Sequence, residues 1–236
     1  MSSTIDWVEN GMAASAFMAE LSRDTDGLDV QIVHVDAHLV VADKPAGLLC
    51  VPGRGEGKQD CLSARVQARY ADALIVHRLD MATSGLCVFA RGAGMQRRLS
   101  MAFAAREVGK RYGAVVAGEP AGETGEIDLP LRVDWPNRPR QMVDHELGKP
   151  SLTHWRKLGG GLLPGTTRLE LEPVTGRSHQ LRVHLAAIGH PILGDALYGP
   201  AEARVAATRL LLHAHALRLR HPATGNAIEW SSPVPF

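Results

Sequence analysis

The run His77-Arg78-Leu79-Asp80-Met81-Ala82-Thr83-Ser84-Gly85 sets one acid two residues after an arginine and closes both with a Thr-Ser-Gly turn. A carboxylate placed this way can be offered to a substrate while the guanidinium holds a phosphate or an unstacked base. Alone, an Asp ahead of a Ser-Gly turn is equally an ordinary turn former. Two other segments supply partners. Lys110-Arg111-Tyr112-Gly113-Ala114 enters a strand with two bases and a tyrosine. A tyrosine beside a carboxylate can stack on a base and move a proton, or simply fill the core edge of its strand. Thr175-Gly176-Arg177-Ser178-His179-Gln180-Leu181-Arg182-Val183-His184 begins a helix after a glycine turn, with Arg177 before it and Arg182 in its second turn. An arginine able to pair with Asp80 would keep that carboxylate ionised and oriented; a basic helix face on solvent is the alternative.

Other chemistries fit poorly. Pro52-Gly53-Arg54-Gly55-Glu56-Gly57-Lys58-Gln59 has Pro52 where a phosphate loop needs its first glycine, and Gln59 where a hydroxyl must meet magnesium. It reads as a flexible basic loop. Of eleven histidines, His213 and His215 lie two apart on a strand and His179 and His184 five apart on a helix. No HExxH or nearby cysteine supports zinc, so no metal is expected. No GxSxG elbow anchors a serine hydrolase. Asp80 has no acidic neighbour in its motif, unlike the paired acids of an ordinary glycosidase.

The elements that must position these residues are mostly strands. Alternation in Gln31–Val35 and Leu39–Ala42 predicts two strands around an Asp36-Ala37-His38 turn. Further strands are expected at Leu86–Ala90, Tyr112–Ala117, Leu152–Lys157, Thr167–Glu172, Leu210–Leu219 and Ala227–Trp230, with a hairpin turn at Thr224-Gly225-Asn226. Three helices are predicted: Leu62–Tyr70 capped by Asp60, Met95–Arg106, and His179–Ile188 capped by Ser178 and stopped by Gly189. Met95, Leu99 and Phe103 face inward, and Arg97, Arg98 and Arg106 outward. Strands adjacent in sequence favour an α+β fold with a mixed, mainly antiparallel central sheet and peripheral helices.

The chain has 236 residues, 45% hydrophobic and 22% charged, with a net charge of +1. That suits one globular catalytic domain, expected at 29–236 after an acidic extension at 1–28. Residues 1–43 carry eight acids and one base, a charge of −7, so the remainder carries +8. A basic body suits a polyanion partner. No apolar run approaches the roughly 20 residues that span a bilayer, so no membrane partner is expected. Three cysteines without CxxC spacing read as reduced thiols of a cytoplasmic protein. No spare amphipathic segment remains, which points to a monomer.

Together the three segments resemble the RluA family of RNA pseudouridine synthases, through HRLDxxTSG, a KxYxA-like strand and GRSHQLRVH. Asp43-Lys44-Pro45-Ala46-Gly47-Leu48, Gly189-His190-Pro191-Ile192-Leu193-Gly194-Asp195, and Leu211-Leu212-His213-Ala214 followed by His221-Pro222, extend the resemblance from about Gln31 to Phe236. Asp128-Leu129-Pro130-Leu131, Asp134-Trp135-Pro136-Asn137-Arg138-Pro139 and Gly148-Lys149-Pro150 narrow it to the dual-specificity branch. The resemblance implies the pseudouridine synthase fold, with an RNA-binding active-site cleft, and isomerisation of uridine to pseudouridine without cofactor or metal. Asp80 would be the catalytic nucleophile, whether it attacks C1′, attacks C6 or assists elimination to a glycal. Tyr112 would pack on the uracil and serve in deprotonating C5, Arg182 would pair with Asp80, and Leu181 would wall the pocket. His77, Thr83, Arg177 and His179, in the same motifs, are expected to line the substrate site. Arg78 would fill the space left by an extruded uridine, and Arg97, Arg98, Arg106, Lys110 and Arg111 would hold phosphates, with Arg138 and Arg140 as further candidates. The implied partners are the tRNA anticodon stem-loop (uridine 32) and a 23S rRNA hairpin (uridine 746). A single-substrate rRNA enzyme of the family, an RNA-binding module without turnover, and a nucleoside hydrolase releasing uracil are the competing readings.

Overall fold

The computed structural model describes residues 29–54, 57–161 and 163–236; the predicted extension at 1–28 lies outside the described residues. Ten of the twelve strands pair in a mixed, mainly antiparallel arrangement, and the other two form a separate hairpin. The described residues fall into two compact units, one of 29–112 with 213–234 and one of 113–212 with 235–236.

The first unit holds β1 (Gln31–Val35), β2 (Leu39–Lys44), α1 (Leu62–Arg69), β3 (Ala73–Ile75), β4 (Ser84–Arg91), α2 (Ala93–Ala104) and β12 (Ala227–Ser231). It also holds the start of β5 (Gly109–Ala117) and nearly all of β11 (Leu212–Arg220). Its strand order is β1-β2-β4-β11, with β3 on β4 and β12 on β11. β4 is buried along almost its whole length because its alternating residues feed two cores. Cys87 and Phe89 join Val40, Ala42 and Leu62 and Val66 of α1 on one face. Leu86, Val88 and Ala90 join Leu39, Val41, Leu217 and Leu99 of α2 on the other, with Met95 and Phe103 against them. Gly85 is required where β4 meets β11 in parallel, paired with Ala214. Its φ of +114° is glycine territory, and a Cβ there would overlap the Ala214 backbone.

The second unit holds β6 (Thr124–Asp128), β7 (Leu131–Val133), β8 (Gln141–Val143), β9 (Leu152–Gly160), β10 (Thr166–Pro173), α3 (Gln180–Ala187) and α4 (Ala201–Val205). β10, β9 and β6 run antiparallel in that order, and β7 and β8 form the separate hairpin. α3 buries Gln180, Arg182 and His184 together with Leu181, Val183 and Leu185, so it has no solvent-facing basic stripe.

The predicted turns at Asp36 and Gly225 are present. The Asp36 carboxylate accepts the His38 and Leu39 N–H groups at 2.6 and 2.8 Å, and Gly225 takes φ +75°. Both predicted helix caps are corrected. The residue before α1 is Cys61, and Asp60 instead binds Arg65 through both oxygens at 2.7 and 2.6 Å. α3 starts after His179, whose φ is +53°, with no side-chain cap. Gln180 fastens the turn ahead of the helix, its Oε1 accepting the Arg177 N–H at 3.0 Å. α2 begins two residues before the expected Met95 and ends two before Arg106, which sits at φ +62°.

Candidate active site

Asp80 heads the tight turn before β4, its carbonyl accepting the Thr83 N–H at 3.1 Å. The turn is fastened by Lys44, whose side chain is wholly buried. Its ammonium donates to the carbonyls of Pro45 (2.8 Å), Leu48 (2.8 Å) and Met81 (3.0 Å). Immediately before Asp80, the Leu79 N–H points at Cys50 Sγ, 3.1 Å away. Cys50 and Cys87 sulfurs lie 3.8 Å apart, an arrangement that draws the Cys50 thiol down and pushes the Cys87 thiol up. Among the described residues, Thr83 Oγ1 is buried without a hydrogen-bond partner.

Tyr112 ends the part of β5 that belongs to this unit and packs on the core cluster containing Cys50, Leu79 and Cys87. Burial first, then the negative charges of Cys87 and Asp80, hold its phenol protonated well above the usual tyrosine range. The Asp80 charge thus acts on the Tyr112 phenol. A phenol held this way offers a ring face and a hydroxyl, not a resting phenolate.

The other motif residues of this unit take different roles. His77 is stacked on Phe103 at 4.5 Å, and its Nε2 accepts the Val88 N–H at 3.1 Å. Burial, helped by the Lys110 charge, lowers its pKa to about 3, so the ring is a neutral brace for β4. Burial also lowers the Lys110 pKa. Arg111 is ion-paired with Glu229. Arg78, Arg97, Arg98 and Arg106 are exposed, with Arg98 reaching the Pro222 carbonyl at 2.9 Å.

The second unit gathers the remaining predicted residues around Arg182. Its guanidinium forks onto Asp195, Nε to Oδ2 at 2.8 Å and Nη2 to Oδ1 at 2.6 Å, with both side chains buried. Asp195 Oδ1 also accepts the N–H groups of Leu197 (2.9 Å) and Tyr198 (3.2 Å). The Arg182 guanidinium lies 5.2 Å from the centre of the Tyr198 ring. The Tyr198 hydroxyl accepts the Gln141 N–H at 2.8 Å and hydrogen-bonds His179 Nδ1 at 2.6 Å. Leu181 is 6% exposed, and Arg177 is exposed with Nε 3.4 Å from the Pro150 carbonyl.

The structure thus brings Asp80, Tyr112, His77 and Lys110 into one unit, and His179, Leu181 and Arg182 into the other. Three supporting residues received no role in the sequence analysis: Lys44, Asp195 and Tyr198. Lys44 and Asp195 stand in quoted signature segments, but their work depends on partners that folding brings up. Among the described residues, no helix is long and apolar enough to cross a membrane.

A family model described as RNA pseudouridylate synthase matches residues 38–187. Dual-specificity RNA pseudouridine synthase RluA of Escherichia coli (strain K12) is 49% identical over 205 residues, covering 87% of this chain and 93% of that protein. Its counterpart in Pasteurella multocida (strain Pm70) is 47% identical over 207 residues, covering 88% and 94%. Among solved structures, Human RNA Pseudouridylate Synthase Domain Containing 1 superposes with a TM-score of 0.76 at 28% identity, covering 89% of this chain and 85% of that one. Human RNA Pseudouridylate Synthase Domain Containing 4 gives 0.68 at 26% identity, covering 94% and 92%. The fold, the three motifs and these likenesses together place the chain in the RNA pseudouridine synthase family, whose members are isomerases.

Proposed function

We propose that this chain isomerises uridine 32 in tRNA anticodon loops and uridine 746 in 23S rRNA, with Asp80 as the reacting carboxylate. The observation that supports the reading is that the motif residues Asp80 and Tyr112 fall in one unit, with the Asp80 charge acting on the Tyr112 phenol and exposed arginines on the same unit. The named dual specificity of the E. coli relative supports two RNA substrates. Short loops with splayed bases are read by shape and stacking, which allows one site to serve both.

The reaction needs no co-reactant. The N1–C1′ bond breaks, the uracil turns, a C5–C1′ bond forms, C5 loses a proton and N1 gains one. The target must first leave its stack, at a cost of about a few kcal/mol. Arg78 takes the vacated space, and Arg97, Arg98, Arg106, Lys110 and Arg111 contribute charge toward phosphates, which sets affinity and salt dependence. Tyr112 covers the uracil with its ring and relays a proton through its neutral hydroxyl. The roles proposed for Arg182, held by Asp195, and for Leu181 are those the motif resemblance implies: a basic partner for the reacting carboxylate and a wall of the pocket. Residues 29–236 act together as one catalytic domain, a reading supported by a family match that begins in one unit and ends in the other. The protein works as a monomer in the cytoplasm, where its RNAs are.

The test is to map pseudouridine in tRNA and 23S rRNA from cells with and without this gene. Loss at both positions on deletion is expected. Loss at one alone restricts the substrate, and free uracil in the purified reaction turns the assignment toward hydrolysis.

A further inference from the structure

The tip of the β7–β8 hairpin carries Trp135, 65% exposed, whereas Trp155 in the same unit is 8% exposed. An indole left this open loses apolar burial unless something covers it. One cover is present: the Arg138 guanidinium stands over the ring, 4.4 Å from its centre. The loop that holds them is tightly built. Asn137 Nδ2 donates to both oxygens of Asp134 at 3.1 and 2.9 Å. The Asp134 N–H reaches the Arg140 carbonyl, and the Asn137 and Arg140 N–H groups reach the Asp134 and Asn137 carbonyls, at 3.0–3.1 Å. Pro136 and Pro139 remove two more freedoms. The pair is therefore presented in one geometry before any ligand arrives.

Its position within the unit gives it an occupant. The Arg140 guanidinium lies 5.5 Å from the Tyr198 ring centre, and Arg182 lies 5.2 Å from the same ring. The Tyr198 hydroxyl binds the Gln141 backbone at the hairpin's return strand. One tyrosine thus ties the hairpin to the arginine assigned to the reacting uridine. We propose that Trp135 and Arg138 form a stacking platform for an unpaired nucleobase of the substrate RNA loop. An aromatic face backed by a guanidinium is the arrangement that takes splayed bases, and stacking of this kind tolerates any base. It gives the site a grip on the loop that is independent of phosphate charge. The inference deepens the RNA reading above and rests on it.

The experiment measures dissociation constants for an anticodon stem-loop RNA carrying the target uridine, by fluorescence anisotropy across a salt series. Pseudouridine yield is followed in parallel. Base stacking supports a weakening of about 5-fold to about 150-fold for Trp135→Ala, with an unaltered salt slope. Trp135→Phe keeps a ring face and stays within about threefold of the parent. This conservative variant and a far-ultraviolet dichroism spectrum separate lost stacking from lost folding. Arg138→Ala also weakens binding, by removing the cover and one charge. Unchanged affinity in Trp135→Ala, while the parent protein converts uridine normally, overturns the platform and leaves the isomerase reading intact. Weakened affinity with a parent protein that converts no uridine supports the platform and overturns the isomerase reading.

Discussion

Replacing Asp195 with asparagine keeps the shape of the side chain and removes its charge from a pair in which Arg182 is 5% and Asp195 1% exposed. Breaking one half of a buried ion pair costs about 3–5 kcal/mol, because the remaining charge stays out of water. Asparagine can still accept the Leu197 and Tyr198 N–H groups with its one oxygen. The lower end, about 3 kcal/mol, therefore applies. For a chain of this size each kcal/mol moves the melting midpoint by about 2–4 °C, so a fall of about 6–12 °C is expected. A guanidinium released from its fork also drifts, and displacement of about 1 Å costs on the order of a hundredfold in rate. Calorimetry gives the first quantity and single-turnover pseudouridine formation at a temperature where the variant is folded gives the second. The double variant Arg182→Met with Asp195→Leu provides the control: it recovers part of the lost stability while remaining inactive, since apolar pairs replace buried ion pairs well. An Asp195→Asn protein within about 1 kcal/mol of the parent, turning over at the parental rate, would refute the account of how Arg182 is held.

Asp80→Asn is expected to abolish pseudouridine formation while stem-loop binding persists, as read by chromatography of digested RNA and by anisotropy; normal conversion removes Asp80 from its role. The low His77 pKa has a direct sign. The folded protein holds this ring neutral, so its contribution to stability is full above the unfolded value near 6.5 and is lost as pH falls toward about 3. Urea midpoints should fall between pH 7.5 and pH 5, and His77→Gln, which retains an acceptor for Val88, should flatten that slope. Gly85→Ala is expected to give insoluble or unfolded protein, because its Cβ overlaps the Ala214 backbone at a φ of +114°; a soluble variant with a normal melting midpoint contradicts the β4–β11 geometry.

The fold class was legible because alternation over five or more residues marks strands whatever their neighbours, as in Gln31–Val35 and Thr166–Pro173. β3, β7 and β8, three residues each, are too short to show a period, and β6, TGEID with Ile127 as its one buried residue, carries no apolar alternation; all four escaped notice. Capping failed at Asp60 because Arg65 takes both of its oxygens, and at Ser178 because the helix starts one residue later, after His179 at a positive φ. In the site, the turn around Asp80 and the helix carrying Arg182 were readable from residue type and spacing. The buried state of Lys44 was not, since lysine is rarely interior and its three carbonyl partners come from residues 45, 48 and 81. His77 was expected in the substrate site as a member of the Asp80 motif, and its bracing role was not readable. Its bond to Val88 and its stacking on Phe103 depend on β4 and α2 returning past it.

Lys44 also bears on who adapts when enzyme and nucleic acid meet. Its ammonium ties residues 45 and 48 to residue 81, so shifting the Asp80 turn means dragging residues 45–48 along or stranding a cation in the interior. Either alternative is dearer than unstacking a loop nucleotide. The acid therefore stays put like a fixed anvil, and the remodelling falls on the RNA. Loops that are already loose, whatever their letters, become the better substrates.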